Sequence, residues 1–137
     1  FRPDPLSLIV PHQHPLARSR FTCLAQVADC AFIGLMAGSA LQEHVAQHAR
    51  RLGKRLHYRM RLRSFESVCR VVGAGIGVGI VPRAVALRCA RSARISRLEL
   101  TDAWAARHLV ICVRQLNDLP LPGQRLVAHL LAHRVPS

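Results

Sequence analysis

The sequence is poor in carboxylates, in aromatic residues and in long apolar runs. Only seven of its 137 residues are Asp or Glu, and six are aromatic. Most of the carboxylates stand near expected caps and turns, and no Gly-x-Ser-x-Gly nucleophile elbow occurs, so we expect no enzyme. No uncharged apolar run reaches the ~18 residues that a membrane-spanning helix requires, so we expect no membrane segment.

Cysteine pairs and metal motifs are also lacking. The five cysteines form no C-x-x-C pair, and most of them sit within apolar patterns. Buried, reduced thiols in a cytoplasmic protein are therefore expected. His44 and His48 stand four residues apart, but neither this pair nor His12 with His14 has an evident third ligand. We expect no metal and no cofactor, and interpret His44 and His48 as packed or interface residues.

Positive charge is what the sequence has in excess. The net charge is +13, and 19 of the 20 basic residues are Arg. The arginines are spread along the chain without flanking aromatics, and the densest segment, residues 50–63, holds seven basic residues. This segment could contact nucleic acid, line a pocket for an acidic ligand or form a solvated surface.

The stretch Ser64 to Pro82 has the clearest local pattern. Ser64 is placed to cap a short amphipathic helix. Gly73 and Gly75 are expected to end this helix with positive φ angles, and Gly77 to Val81 reads as a buried strand ended by proline. A phosphate-binding loop needs the opposite order, with a strand first and a helix after the glycines. These glycines are therefore expected to turn the backbone.

The remaining chain alternates strand and helix patterns. The order predicts an α/β fold with a mainly parallel sheet and flanking helices. Thr22 is expected to cap the first helix, and Ser39 with Gln42 forms a capping-box pattern. The predicted strands are 6–10, 31–35, 56–62, 95–100 and 109–113, and the predicted helices are 22–29, 39–52, 83–90 and 122–133.

Ser39 and Ser64 each stand where a strand pattern gives way to a helix. The first-turn amides of a helix point outward and carry the positive end of the helix dipole, so the Ser39 position could hold a ligand carboxylate. Each serine could equally cap only its own helix, and both interpretations stay open.

Two segments resemble the effector-binding domain of LysR-type transcriptional regulators. One is the helix that opens Ser-Phe-Glu at Ser64, with its glycine turn and the apolar strand that ends at Pro82. The other is His-Pro-Leu-Ala, residues 14–17, directly after the first strand. The resemblance implies a periplasmic-binding-protein-like (type II) fold. Residues 1–11 would end a lobe I strand and form the first crossover, 12–99 would form lobe II, and 100–137 would be the return crossover with the last strand and helix of lobe I.

The resemblance also implies a function. The chain would be a fragment of a cytoplasmic regulator that binds a small effector, carrying a carboxylate, in the interlobe cleft. It would form a homo-oligomer, a dimer or a tetramer, and meet DNA only through an N-terminal winged helix-turn-helix that the sequence lacks. The alternative is a solute-binding protein of a transport system. The cleft residues carried over by position are Gly38, Ser39, Ser64, Phe65, Glu66, Pro11 and Pro82.

Overall fold

The computed structural model describes residues 2–134 and confirms the α/β class. Strand and helix alternate along most of the described chain. The strands are β1 (Arg2–Pro3), β2 (Leu6–Pro11), β3 (Phe21–Thr22), β4 (Ala31–Leu35), β5 (His57–Leu62), β6 (Gly79–Pro82), β7 (Ile95–Leu100) and β8 (His108–Leu109). The helices are α1 (Leu24–Val27), α2 (Ala40–Arg51), α3 (Phe65–Gly73), α4 (Arg83–Ala93) and α5 (Leu121–Ala132).

Six of these strands are joined in the order β5-β4-β6-β2-β7-β3. β2 pairs antiparallel with both β6 and β7, whereas β3 is parallel to β7 and β4 is parallel to β5. Val78, directly before β6, forms a parallel bridge with Phe32 and so joins the two sets of strands. Five strands therefore run in one direction and β2 alone runs in the other, which confirms a mainly parallel sheet.

The first strand of the predicted series, β2, is thus the antiparallel one. Leu6, where β2 begins, pairs with Pro82, where β6 ends. The chain enters this sheet from the edge at which the other strands finish, so β2 has to run against them. The strand-helix alternation in the sequence carries no information about that point of entry.

Helices cover both faces of the sheet. Leu8, Val10 and Leu98 pack on one face with α1 and α2, and Ile9 and Val81 pack on the other with α3 and α4. Burial on both faces explains why β2 and β6 read as continuous apolar runs without alternation.

Gly73 is the last residue of α3 and does not have the positive φ that the sequence predicted. Its role is steric, because a Cβ on Gly73 would overlap the carbonyl oxygen of Ala93. Gly75 has φ +88° and makes the turn, as predicted. One glycine of the pair lets α3 approach the end of α4, and the other reverses the chain.

Two predicted caps differ in detail. Thr22 lies in β3, and Cys23 occupies the cap position of α1. The hydroxyl of Thr22 donates to Oε1 of Gln26 at 2.9 Å. Ser39 does cap α2, but the side chain of Gln42 accepts a hydrogen bond from the amide of Leu35 at 3.2 Å. The Ser39–Gln42 capping box is therefore only half formed, because Gln42 is drawn to the end of β4.

The strand predicted at residues 109–113 is mostly absent. β8 spans only His108–Leu109, and Val110 and Val113 of the predicted strand are exposed. α5 forms close to the predicted range, but none of its residues is buried. An apolar helical face can be read from sequence, whereas its burial requires a partner surface, and residues 2–134 provide none for α5.

The N-terminal end of the described chain forms a short ribbon with β8. β1 pairs antiparallel with β8. Asp4 and Arg107 join these segments through an ion pair between their side chains and through backbone hydrogen bonds. The boundaries at residues 11, 12, 99 and 100 stay predictions, and Phe1 and residues 135–137 of the outer ranges lie outside the described residues.

The cysteines are free thiols, and two of them are buried as predicted. Cys69 and Cys89 lie in the core, whereas Cys112 is exposed, contrary to the prediction. Burial, followed by the neighbouring Cys89, raises the pKa of Cys69 to about 12, so this thiol stays protonated at neutral pH. Among residues 2–134, no helix combines the length and the apolar character needed to cross a membrane.

We expect Gly73→Ala to lower the free energy of unfolding by roughly 1–3 kcal/mol, the usual cost of forcing extra atoms into a packed site. This loss should outweigh the higher helix propensity of Ala. Gly123→Ala is the matched control. A Cβ added there would lie 3.5 Å from the Cβ of Leu119, which is an ordinary van der Waals contact. Urea unfolding measures both variants, and equal stability of the two would contradict the steric role of Gly73.

Candidate functional site

The strands that run in the same direction end at one edge of the sheet, here called the carboxyl edge. Leu35 and Leu62, the last residues of β4 and β5, are register partners. The amide of Met36 donates to the carbonyl of Leu62 at 2.9 Å, so the two chains leave the sheet side by side. Six of the seven predicted site residues follow strand ends at this edge. They are Gly38, Ser39, Ser64, Phe65, Glu66 and Pro82.

Pro11 lies elsewhere. It is the last residue of the antiparallel strand β2 and pairs with Ile95, the first residue of β7. A six-residue strand is about 17 Å long, so Pro11 stands at the opposite edge from Pro82. The expectation that both prolines flank one cleft is therefore wrong, because it assumed that β2 runs with the other strands.

The start of α2 is open to an approaching group. Oγ of Ser39 accepts a hydrogen bond from the amide of Gln42 at 3.5 Å, a long and weak contact. Gly38 has φ +95°, and no atom lies within 4 Å of where its Cβ would be. The first two amides of the helix, at Ala40 and Leu41, have no acceptor within the helix by its geometry. These features allow an anion to reach the positive end of the α2 dipole.

The start of α3 is more tightly capped. Oγ of Ser64 accepts from the amide of Ser67 at 3.2 Å and donates to Oγ of Ser67 at 3.0 Å. Ser64 therefore caps its own helix, as the capping interpretation predicts. A ligand oxygen could still take the hydroxyl hydrogen of Ser64, because a hydroxyl can rotate from one acceptor to another.

Glu66 has partners within the protein. Its carboxylate is exposed and forms an ion pair with Arg88 of α4 at 2.8 Å. The hydrogen bond from Arg88, followed by one from the Glu66 amide, lowers the pKa of Glu66. Glu66 therefore links the first turn of α3 to α4, as expected of an acidic side chain favoured by the helix dipole.

Phe65 and Pro82 belong largely to the packing of the lobe. Phe65 is half-buried and contacts the apolar clusters on both faces of the sheet. Pro82 is buried, ends β6 and stands at the cap position of α4. Both residues support the carboxyl edge, and Phe65 also presents part of its ring to solvent.

An aromatic cluster near this edge was not predicted. Beyond the end of β7, Trp104 stacks on His48. The ring centroids are 4.8 Å apart, and the angle between the ring planes is 8°. His44 meets both rings edge-on, and its Nε2 lies 3.1 Å from the carbonyl oxygen of Trp104. The sequence signal was available, because Trp104 is the sole Trp and the two histidines share a helix face.

This cluster confirms the packed-histidine interpretation and fixes the return segment against α2. Within residues 2–134, no group of three or more potential metal ligands occurs. Asp102, two residues before Trp104, accepts from the amide of Leu24 at 2.9 Å. The segment after β7 is thus tied both to α1 and to α2.

We expect stability to fall as the pH drops below 6.5, the ordinary pKa of His. Burial against its neighbours, followed by His44 and Arg51, lowers the pKa of His48. His48 therefore binds a proton less readily in the folded chain than in the unfolded chain. The contribution of neutral His48 to stability is present above pH 6.5 and is lost as the pH falls through the pKa of the folded state.

Thermal unfolding across this pH range measures the effect, with Trp104 fluorescence as a local readout of the stack. His48→Gln should reduce the pH dependence, whereas His57→Gln, an exposed change on β5, should leave it unaltered. An unchanged pH profile for His48→Gln would rule out this role.

The chain is similar to known proteins over most of its length. A family model described as the LysR substrate binding domain matches residues 1–134. The RuBisCO operon transcriptional regulator of Allochromatium vinosum is 30% identical over 81 residues, which cover 59% of the chain and 27% of that protein. The HTH-type transcriptional regulator CatR of Pseudomonas putida is 29% identical over 120 residues, which cover 86% of the chain and 40% of that protein. The chain thus spans less than half the length of either relative.

Solved structures share the fold. The regulatory domain of CcmR from Synechocystis PCC6803, in complex with 2-PG, has a TM-score of 0.80 and 20% identity, over 98% of this chain and 67% of that one. The effector-binding domain of QuiR in complex with shikimate has a TM-score of 0.66 and 18% identity, over 73% of this chain and 46% of that one. At these identities the likeness concerns the fold alone.

Proposed function

The chain belongs to the LysR substrate-binding domain family, and on that premise we propose that it is the effector-sensing domain of a bacterial transcription regulator. Domains of this family bind effectors and are not enzymes, which confirms the expectation of a non-enzymatic chain. The family match also removes the alternative of a transport-system solute-binding protein.

The observation that carries the proposal is the shared edge of the sheet. α2 and α3 both begin where the neighbouring strands β4 and β5 end in register. Both connections to the β1–β8 ribbon leave from the same edge, because β2 begins there and β7 ends there. A cleft between this lobe and a second lobe would therefore open onto the starts of two helices.

The chemistry of this edge supports an acidic ligand. Two helix starts present first-turn amides and the positive ends of their dipoles. Gly38 leaves open space beside Ser39, and Phe65 offers an apolar surface beside Ser64. We propose a small carboxylate held between Ser39 and Ser64, with Phe65 against its apolar part. Glu66 and Pro82 support this site, and Pro11 is not part of it.

Binding would act through the crossover segments. A ligand shifts a conformational equilibrium only if it binds one arrangement better than the other. The Asp4–Arg107 pair holds the two crossovers together, so a movement of the lobe would move both segments as one unit. In the full-length protein, we propose a cytoplasmic homo-oligomer, dimer or tetramer, in which this movement changes how N-terminal winged helix-turn-helix domains meet DNA.

A thermal-shift screen of small carboxylates on the full-length protein tests the proposal. A ligand at a hundred times its dissociation constant should stabilise the domain by about 2.7 kcal/mol. We expect Ser64→Ala to reduce this ligand-induced shift, because the ligand loses a hydroxyl partner. The variant itself should be about 1 kcal/mol less stable, since it loses a helix cap.

Ser92→Ala serves as the control, because it removes a helical serine near the far end of α4. Its ligand-induced shift should equal that of the unaltered protein. Equal shifts in Ser64→Ala and Ser92→Ala, or no stabilising carboxylate in the panel, would argue against the site.

A further inference from the structure

A second concave site lies between α2 and the edge strand β5, and its lining extends from Leu56 to Arg61 along this side of the lobe. Its volume is about 390 Å³, which falls within the range of small-ligand sites. We call it the basic groove. The lining residues that matter here are Arg50, Lys54, Arg55, Arg61, Glu43 and Tyr58.

A β-bulge creates one wall of the basic groove. Tyr58 pairs with Phe32, but the next partner of β4 is Met60, so Arg59 is an extra residue in β5. The extra residue turns Arg61 to the same face as Tyr58, and its guanidinium lies 4.3 Å from the centroid of the Tyr58 ring. Without the bulge, simple alternation would place Met60 on the face of Tyr58 and Arg61 on the opposite face.

The floor of the basic groove is fixed. A Cβ on Gly34 of β4 would overlap the ring of Tyr58, so only glycine leaves room for that ring against the strand. The ring centroids of Phe32 and Tyr58 lie 6.0 Å apart, so Phe32 also packs against Tyr58. Burial raises the pKa of Tyr58 further above neutral, so the phenol adds no negative charge to the groove.

The charge in the basic groove is unbalanced. Four cations face one carboxylate, that of Glu43. Lys54 forms an ion pair with Asp29 at 3.3 Å, whereas Arg50, Arg55 and Arg61 form no ion pair with any described residue. Three arginines line this one concavity, and an anion bound there would offset the repulsion between their like charges.

We propose that the basic groove binds a ligand with two or more adjacent phosphate groups. Arginine presents several N–H donors in a planar fork that matches phosphate oxygens, and several arginines can share a phosphate chain. None of the six predicted site residues at the carboxyl edge lines the basic groove. The phosphates could belong to a free phosphorylated metabolite or to the backbone of a nucleic acid.

Calorimetric titration with inorganic tripolyphosphate tests the proposal. The double variant Arg55→Gln/Arg61→Gln should weaken binding by at least about tenfold, because charge-assisted hydrogen bonds are lost. Glu43→Gln should tighten binding by about two- to fivefold, since it removes the carboxylate from the lining. The control Arg18→Gln/Arg91→Gln removes the same charge from exposed positions outside the groove and should change affinity by less than about twofold.

Thermal unfolding establishes that each variant is folded, and sedimentation gives its oligomeric state. Equal weakening in the two double variants would mean that the net charge of the chain, and not the groove, attracts the anion. Absence of tripolyphosphate binding, including exclusion by a second copy of the chain seated on the groove, would also overturn the proposal.

Competition with a short random-sequence DNA duplex separates the two sources of phosphate. If the duplex displaces tripolyphosphate and is itself weakened by Arg55→Gln/Arg61→Gln, the groove follows a nucleic acid backbone. If the duplex is unaffected by that variant while tripolyphosphate binding is lost, the groove serves a free phosphorylated ligand. Either result supports binding of adjacent phosphates.

Discussion

The direction of β2 is the constraint on which the rest of the structure depends. β2 is hydrogen-bonded on both sides and is buried along its whole length, yet it alone runs against the sheet. Because it enters where the other strands end, both crossovers and the starts of α2 and α3 meet at one edge. If β2 ran in the other direction, the two crossovers would lie at opposite ends of the strands. The starts of α2 and α3 would then not face both crossovers.

Packing between helices adds a second constraint on the same lobe. α3 and α4 approach so closely that Gly73 meets the backbone at Ala93, and Cys69 and Cys89 lie in the layer between them. At the opposite end of this pair, Arg88 and Glu66 form an exposed ion pair, which contributes little to stability. Close steric fit, more than charge, therefore fixes the orientation of α3, whose first turn belongs to the carboxyl edge.

The lobe has two places suited to anions, and their physical basis differs. At the carboxyl edge, backbone amides and helix dipoles supply a modest, directional positive potential suited to one carboxylate. In the basic groove, three arginines that form no ion pair with any described residue supply net charge, which suits several phosphates. The first depends on where strands end, and the second depends on a bulge that turns one arginine.

The sequence alone determined the α/β class, most element boundaries, the caps at Ser39 and Ser64 and the glycine turn, because these follow from local periodicity and capping chemistry. It also carried the family resemblance. Only the tertiary structure decided the direction of β2, the position of Pro11, the role of Gly73, the bulge before Arg61 and the exposure of α5. Each of these depends on which distant segment lies alongside, and local residue patterns do not encode that choice.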